Sequence, residues 1–404
     1  MAIPSTTVEV GFDLLATGDQ DGKLILDDPV RGKLDDAGYV LAGETWTDVT
    51  QHVRQVNIRR GRSSELDRYS AGQVSVTLDN RERQFSPDNA SSDYYPNVKP
   101  RKPIRITCGT YRHFVGQIED WNLGFKVGGD YTVTVAGSDA FALLAGQELT
   151  GFTTTSQTSG QRVAAIMSRD EVSWPAAMRD VDTGEQTLQA DVVEYGSNVL
   201  QYLQTVEATE PGALFVSRDG MMTFRGRTTS PTAFTDVSFT DAGDGVPFVD
   251  ISISYGTELL YNVVNVTRAG GTRQTVDNSS GTEYAVSSLT RDNLLHDSDD
   301  SAQDLAAWWA SIYSEPLVRI KSVTVELLSL TEAQQESVLA LDLYNVVTVA
   351  FHGGTSSSKI DSVEHQITPQ SHRVTFGFSN SLSVNNLVLD SATYGVLDTN
   401  RLGF

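Results

Sequence analysis

Residues 53–89 read VRQVNIRRGRSSELDRYSAGQVSVTLDNRERQFSPDN, and this stretch decides the fold class. Val74, Val76 and Leu78 alternate with polar residues, and a period of two is typical of a strand with one buried face. The stretch ends in Ser-Pro-Asp-Asn, whose residue types favour a turn. Its first part concentrates positive charge in four arginines: Arg54, Arg59, Arg60 and Arg62. The pattern predicts two strands, of which the first is rich in arginine.

The arginines stand out because the chain as a whole is acidic. It has 404 residues and a formal net charge of −22. Residues 54–112 hold twelve Lys and Arg against six Asp and Glu, so this span is +6 and the remainder is −28. An acidic surface repels DNA phosphates, which argues against general nucleic-acid binding. The arginines are then either solvated strand residues with local salt bridges or a docking stripe for an acidic neighbour.

The composition excludes several classes of protein. Hydrophobic residues make up 39% and charged residues 20%, which is typical of a folded chain. No run approaches the ~20 apolar residues that a membrane helix needs, and the first residues lack the pattern of a signal peptide. Cys108 is the only cysteine, which excludes an intrachain disulfide and a cysteine-based zinc site. We therefore expect folding in a reducing cytoplasm.

Short segments rich in Val, Ile and Thr dominate two parts of the chain, and Gly, Asn, Asp or Pro separates them. Such closely spaced strands predict a barrel or a sandwich. Between these parts lie helical patterns and a hairpin signal around Arg218-Asp219-Gly220. The predicted units are an N-terminal arm or hairpin (1–45), a first β domain (46–150), a mixed α/β unit (151–230), a second β domain with helical insertions (231–385) and a C-terminal arm (386–404).

Helices are predicted where apolar residues recur every three or four positions behind a capping residue. Two of them fall in the mixed unit and two in the second β domain. Ser, Thr and Asn side chains cap helices because their oxygens accept hydrogen bonds from the free N–H groups of the first turn. The predicted capping residues are Ser159, Ser197, Ser301 with Asp304, and Thr331 with Gln334.

The sequence contains no local catalytic signature. The six histidines include no pair at the i, i+4 spacing of a helical metal site, and there is no nucleophile elbow or phosphate-binding loop. Cys108 lies in a strand pattern and is predicted to be a buried thiol. Trp308 and Trp309 are predicted to anchor a core. We therefore predict no catalytic, cofactor-binding or metal-binding residue, and a structural protein rather than an enzyme.

The opening stretch carries a wider pattern of glycine, arginine and turn residues before the next predicted strand. Its members are Arg60-Gly61-Arg62, Gly72, Leu78-Asp79-Asn80, Phe85, Pro87, Asn89 and the segment Arg101 to Arg105. This arrangement resembles the N-terminal part of minor tail proteins of non-contractile, siphovirus-type phages that infect actinobacteria, and especially their tail-tip or baseplate hub proteins. GSNVLQYLQTVEATEPGALFVSRDGMMTFRGR and the ending LDSATYGVLDTNRLGF resemble later regions of the same proteins.

The resemblance implies a mainly β protein, with two tail-tube-like β-barrel domains (46–150 and 231–385) flanking the mixed unit and its peripheral helices. It implies a homotrimeric ring that closes the distal end of the tail tube, adapts hexameric to trimeric symmetry and lines the DNA exit channel. The implied partners are the distal tail protein ring, the tape measure protein and further tail-tip, spike or fibre proteins. The implied location is the virion tail tip, after synthesis in the host bacterial cytoplasm. No hydrolase domain follows Phe404, so we expect no lytic activity.

In such a channel, acidic walls let DNA slide without the counterion release that a basic wall would cause. The four arginines, Arg54, Arg59, Arg60 and Arg62, would then contact a neighbouring subunit or ring, because guanidinium groups bind carboxylates through paired hydrogen bonds. We expect that replacing Arg59, Arg60 and Arg62 with Glu blocks ring assembly without unfolding the chain.

Three other interpretations of the sequence remain open. The first is a hexameric distal tail protein, which differs from the hub in copy number. The second is a receptor- or carbohydrate-binding tail protein that uses Trp308, Trp309, Tyr94 or Tyr95 as sugar platforms. The third is a cell-wall hydrolase with a pair of carboxylates that the sequence does not single out among 52 acidic residues.

Overall fold

The computed structural model describes residues 3–12, 46–227, 233–280 and 283–380. The predicted arms, 1–45 and 386–404, lie outside the described residues except for residues 3–12. The described chain is mainly β, as predicted, and 14 of its strands form one sheet. No helix in the described ranges is long and apolar enough to cross a membrane.

The first β segment, together with residues 6–10, contains eight described strands and one α-helix. They are β1 (Thr6–Val10), β2 (Thr47–Asp48), β3 (Val53–Gly61), β4 (Ser70–Asp79), β5 (Pro103–Cys108), β6 (Tyr111–Phe125), β7 (Tyr131–Ser138), α1 (Ala140–Ala145) and β8 (Glu148–Leu149).

The middle segment mixes short strands with two helices. It contains β9 (Phe152–Thr153), β10 (Gln157–Thr158), α2 (Ser159–Met167), β11 (Arg179–Val181), β12 (Thr187–Leu188), β13 (Val192–Val193), β14 (Ser197–Asn198), α3 (Val199–Thr209), β15 (Ala213–Val216) and β16 (Met222–Arg225). The hairpin predicted around Arg218-Asp219-Gly220 is confirmed, because β15 pairs antiparallel with β16.

The last segment returns to long strands. It contains β17 (Ala233–Thr240), β18 (Val246–Pro247), β19 (Asp250–Tyr255), β20 (Val263–Arg268), β21 (Gln274–Asp277), β22 (Ser288–Leu294), α4 (Asp299–Tyr313), β23 (Val318–Glu326), α5 (Glu332–Ala340), β24 (Val346–Phe351), β25 (Gly354–Thr368) and β26 (Ser371–Asn380). Strands β20 to β22 form a separate sheet that packs on α4 around Val264, Leu305 and Trp309.

Eight long strands form the middle of the large sheet in the order β6-β7-β4-β3-β25-β26-β23-β19, and each neighbouring pair is antiparallel. The pairing of β3 with β25 joins the first and last segments of the chain into one continuous sheet. Along the hydrogen-bonded path of the described strands the sheet stays open, so the described residues contain no closed barrel. The domain boundaries themselves stay a prediction.

The two halves of this eight-stranded sheet repeat one topology. The antiparallel series β5-β6-β7 corresponds to β24-β25-β26, β4 corresponds to β23, and β3 corresponds to β19. Strands β6 and β25 both have 15 residues. Each also shifts register against its following strand at one extra residue, Glu119 in β6 and Asp361 in β25. The sheet is therefore a tandem arrangement of two four-stranded units.

Helix caps follow the predicted chemistry with local corrections. The capping box of Thr331 and Gln334 at α5 is confirmed. Helix α2 is capped by Thr158 rather than Ser159, because the Ser159 hydroxyl donates a hydrogen bond to buried Glu210. The other two caps lie one and three residues from the prediction: Asn198 caps α3 and Ser298 caps α4.

The joint between the halves depends on Gly61, which ends β3 with a φ of +111°. A Cβ atom at this position would lie 2.1 Å from the backbone oxygen of Asp361, so the approach of β25 requires glycine. Gly128 has a similar φ of +114°, but no atom lies within 4 Å of its hypothetical Cβ.

We expect Gly61→Ala to lower the free energy of unfolding by about 3 kcal/mol or more, because the strained φ and the clash with Asp361 add. Gly128→Ala is the matched control, since it carries the strained φ without the clash. Urea denaturation measures both variants. Equal losses in the two would show that close approach at the joint is not what requires glycine.

Candidate functional site

The eight-stranded sheet has one apolar and one polar face. Along each strand, buried residues such as Val56, Ile58, Val74 and Val76 alternate with polar ones on the opposite side. We call this second side the polar face. Its residues are Gln55, Asn57, Arg59, Gln73, Ser75, Thr77, Thr132, Thr134, Ala136, Asp120, Asn122, Ser362, Glu364, Gln366, Arg373, Thr375, Ser322, Thr324, Glu326, Asp250 and Ser252.

Small and uncharged side chains dominate the polar face, and its few charges are biased towards carboxylates. Both of its arginines lie opposite a glutamate in the strand register. Arg59 pairs with Glu364 across the joint, and Arg373 pairs with Glu326, with a closest N–O distance of 3.8 Å. Each of the two arginines therefore has a glutamate opposite it in the strand register, and for Arg373 the two charges lie within ion-pair distance.

The polar face is concave at the joint between the halves. A depression of about 360 Å³ lies over β3, β4, β6, β7 and β25. Its lining includes Arg59, Gln73, Ser75, Glu119 and Glu364. The depression is open to solvent and its lining mixes polar and apolar groups, so it resembles a stretch of wall more than an enclosed pocket for a small ligand.

The four arginines proposed as a docking stripe lie in different environments. Arg59 is exposed on the polar face. Arg54 is about one-third exposed and binds two carboxylates of its own chain, Asp130 at 2.8 Å and Asp79 at 3.2 Å. Arg60 lies on the core side of β3, and Arg62 directly follows the end of that strand.

Arg60 and Arg62 are held in buried ion pairs with the far half of the chain. The Arg60 guanidinium lies 2.6 Å from a carboxylate oxygen of Asp342. Arg62 lies 3.0 Å from Asp361, whose other oxygen accepts a hydrogen bond from the Tyr69 hydroxyl at 3.1 Å. Burial acts to lower the pKa of Arg62, but the charge and hydrogen bond of Asp361 together with Tyr69 and Glu207 outweigh it, and the pKa is raised.

These contacts argue against the expectation that the stripe can be reversed in charge without unfolding. Arg60 and Arg62 hold the two halves of the sheet together and are not available to a partner in this structure. Arg59 is the most exposed of the four and Arg54 is about one-third exposed, and contact of these two with a partner stays a prediction. Strand alternation over Val56, Ile58 and Arg60 is a sequence signal that Arg60 lies on the core side. The sequence contained no signal for the ion pairs, because the carboxylates involved lie about 280 to 300 residues away.

Three buried histidines meet where the halves of the sheet pack, and sequence reasoning missed them. His113 comes from β6, His365 from β25 and His372 from β26. The Nδ1 atom of His365 lies 3.1 Å from Nε2 of His372, and the rings of His113 and His365 are 4.4 Å apart between centroids. Within the described ranges no group of three metal-ligating side chains is placed to hold a metal ion.

The histidine cluster is neutral in the folded protein. Burial lowers the pKa of His113 and of His365 well below the usual value, and the nearby charge of Arg60 lowers both further. Burial lowers the pKa of His372 to about 4. The charged groups that face the cluster are Arg60 and Arg218, and neither favours an imidazolium.

The other predicted sites have structural explanations. Cys108 is buried, as predicted, and burial raises its thiol pKa to about 12. Trp309 is buried in the core under α4, as predicted, and Trp308 is half-buried with the Arg227 guanidinium 5.7 Å from its ring. The ring of Tyr94 stacks on that of Phe12, with 4.4 Å between the ring centroids. Tyr95 is therefore the more exposed of the two neighbouring tyrosines.

Comparison with known proteins identifies the fold. No protein-family model and no curated protein sequence matches the chain. Among solved structures, the 43 kDa tail protein of prophage MuSo2 from Shewanella oneidensis has a TM-score of 0.57 at 13% identity. The tail protein from Neisseria meningitidis MC58 has a TM-score of 0.59 at 12% identity. Both alignments cover 93% of this chain and 97% of the other.

The chain therefore has a fold found in phage tail proteins. At these identities the likeness is one of fold, and it extends over nearly the whole length of both proteins. The expected relation to tail proteins is confirmed at this level.

We expect Arg60→Glu or Arg62→Glu to lower the free energy of unfolding by about 3–5 kcal/mol, because each removes the cationic partner of an aspartate and places a second carboxylate beside it at a largely buried position. Arg59→Glu is the matched control on the same strand and should change it by less than about 1 kcal/mol, since Arg59 is exposed. Chemical denaturation of the three variants measures this. A loss of the same size at Arg59 would contradict the structural division among the arginines.

The histidine cluster predicts a loss of stability in acid. A histidine with a lowered pKa stays neutral in the folded state, whereas the unfolded chain takes up a proton below about pH 6.5. The contribution of neutral His372 to the free energy of unfolding is therefore fully present above pH 6.5. It is lost as pH falls towards the folded-state pKa of about 4.

Between pH 7 and 4, the free energy of unfolding of the wild type should fall by about 3 kcal/mol more than that of His372→Gln. The comparison with the variant is needed because burial raises the pKa of Glu207 and of Asp139 to about 7. These two carboxyls make the folded state more stable as pH falls, which is opposite to the effect of His372. Parallel stability curves for the two proteins would contradict a neutral buried His372.

Proposed function

We propose that this protein is a structural component of a phage tail tip, a hub that forms a homotrimeric ring and closes the distal end of the tail tube. The observation that carries the proposal is the eight-stranded antiparallel sheet with a single polar face. The fold likeness to phage tail proteins supports the setting. In this role the chain performs no catalytic step.

The tandem halves give the symmetry argument. Each chain contains two four-stranded units of the same topology, so three chains would present six such units around an axis. A ring of three subunits could then match a hexameric ring above it. This is the adaptation between hexameric and trimeric symmetry that the resemblance to hub proteins implies.

The size of the sheet suits a DNA channel. Three sheets of eight strands, spaced about 4.8 Å apart and tilted by about 40°, would close into a barrel roughly 45–50 Å across between backbones. Small side chains such as Ser75, Thr134 and Thr375 would occupy little of that width on the inner side. The remaining space accommodates a DNA duplex.

The charges on the polar face suit passage without binding. A protein that neutralises phosphates releases counterions and thereby gains affinity for DNA. On the polar face Arg59 lies opposite Glu364 and Arg373 opposite Glu326, while Asp120 adds negative charge. Such a wall repels phosphate weakly and evenly, so DNA would slide along it.

The partners in this proposal are other copies of the chain, the distal tail protein ring, the tape measure protein and further tail-tip, spike or fibre proteins. The setting is the tail tip of a virion of a siphovirus-type phage of actinobacteria, made in the host cytoplasm. The predicted tube-like barrel domains would arise only in the ring, because the sheet of one chain is open within the described strands.

Cryo-electron microscopy of tail particles that contain this chain tests the proposal. We expect three copies around the tail axis with Ser75 and Thr134 of the polar face directed towards it. Six copies would identify a distal tail ring instead. Copies away from the axis, or a polar face turned outward, would contradict the channel role and favour receptor binding.

A further inference from the structure

The eight-stranded sheet ends in two strands whose outer edges are uncovered among the described residues. Strand β19 pairs only with β23. The second half of β6, from Asp120 to Phe125, pairs only with β7, because β5 covers just the first half of the strand. Open edges expose rows of N–H and C=O groups that can pair with another strand.

Both open edges also expose large apolar side chains. At the end of β6, Phe125 is 54% exposed. On and beside β19, Val249 is 57%, Ile253 41% and Tyr255 68% exposed. A protein that remains a monomer usually protects its edges with charged residues, proline or a covering loop, so apolar edges indicate a contact surface.

The internal repeat shows what such an edge can bind. In the topology of the halves, β19 takes the place of β3, and β6 takes the place of β25. Inside the chain β3 and β25 pair with each other and form the joint. The free edges β19 and β6 are therefore counterparts of two strands that already form a stable antiparallel pair.

The repeat also determines the register. Val56 of β3 lies opposite Val76, and Ile251 of β19 lies opposite the corresponding Val323. Ile367 of β25 and Phe125 of β6 both lie six residues beyond the extra residue of their strand. At the joint, Val56 is paired with Ile367, and both are buried. By correspondence, Ile251 would lie opposite Phe125.

Two neighbouring pairs follow from the same register. Ser252 would lie opposite Gly124, as Asn57 lies opposite Gln366 at the joint. One residue in the other direction, Asp250 would lie opposite Lys126. Asp250 and Lys126 are both exposed and carry opposite charges, and a cross-strand pair of opposite charges is stabilising.

We infer that β19 of one copy of this chain pairs with β6 of the next copy, in the antiparallel register that β3 and β25 use inside each chain. The two edges lie at opposite ends of one sheet, so they meet only between copies. A contact of this head-to-tail kind closes into a ring when its rotation allows. The inference rests on the proposed function and specifies the subunit contact within it.

Disulfide cross-linking of the full-length chain tests the register. Asp250→Cys and Lys126→Cys are placed together in one chain, and buried Cys108 is left unchanged. Directly opposed residues of antiparallel strands have Cα atoms about 4.5–5.5 Å apart, which suits a disulfide. The control pair, Asp250→Cys with Gly124→Cys, lies on the diagonal at about 7–8 Å. We expect a covalent product of three chains, with at least about tenfold less from the control.

A second variant tests the apolar contact. Phe125→Ser should raise the dissociation constant of the assembly at least about tenfold, because Phe125 would be buried at the contact. Val127→Ser is the matched control, since Val127 is fully exposed at the hairpin tip beyond the proposed pairing. Light scattering over a concentration series measures the assembly of both variants and of the wild type.

The outcomes separate this inference from the proposed function. If trimers form but positions 250 and 126 do not cross-link, the inferred contact is overturned and the proposed ring stands. The same holds if Phe125→Ser and Val127→Ser weaken the assembly equally. A wild-type chain that stays a single copy at every concentration would overturn both the ring and the contact.

Discussion

The antiparallel pairing of β3 with β25 is the constraint on which the rest of the structure depends. It joins segments that are about 300 residues apart and makes one sheet of them. Two buried ion pairs, Arg60–Asp342 and Arg62–Asp361, lie beside this joint. A buried charge is costly without its partner, so the first half of the sheet is complete only when the second half is in place. The glycine at position 61 permits the close approach that brings these groups together.

The same joint gives the sheet its two different faces. Apolar residues of both halves, such as Val56, Val74, Val323 and Val363, turn to one side and form the core. Polar residues are left on the other side, in a continuous surface across eight strands. A one-sided sheet whose two apolar edges are uncovered among the described residues is suited to association with further copies. This combination is the main surface feature of the described sheet.

The sequence predicted the local features well. Strand periodicity, the α5 capping box at Thr331, the hairpin around Gly220 and the buried positions of Cys108 and Trp309 all depend on neighbouring residues. The misplaced caps show the limit of such reasoning. Ser159 has the right chemistry for a cap, but its hydroxyl is used by Glu210, which lies 51 residues away. A competing partner of this kind is not visible in a local pattern.

By itself the sequence determined a mainly β, acidic chain with a mixed central segment, because periodicity, composition and turn residues act over short distances. Tertiary structure decided which arginines are buried, which histidines meet and in what order the strands pair. Arg59 and Arg60 are adjacent in the chain, yet the alternation of a strand sends one to the polar face and the other to Asp342. Their roles depend on the register of β3 against a strand hundreds of residues away, and that register is set by the packing of the whole sheet.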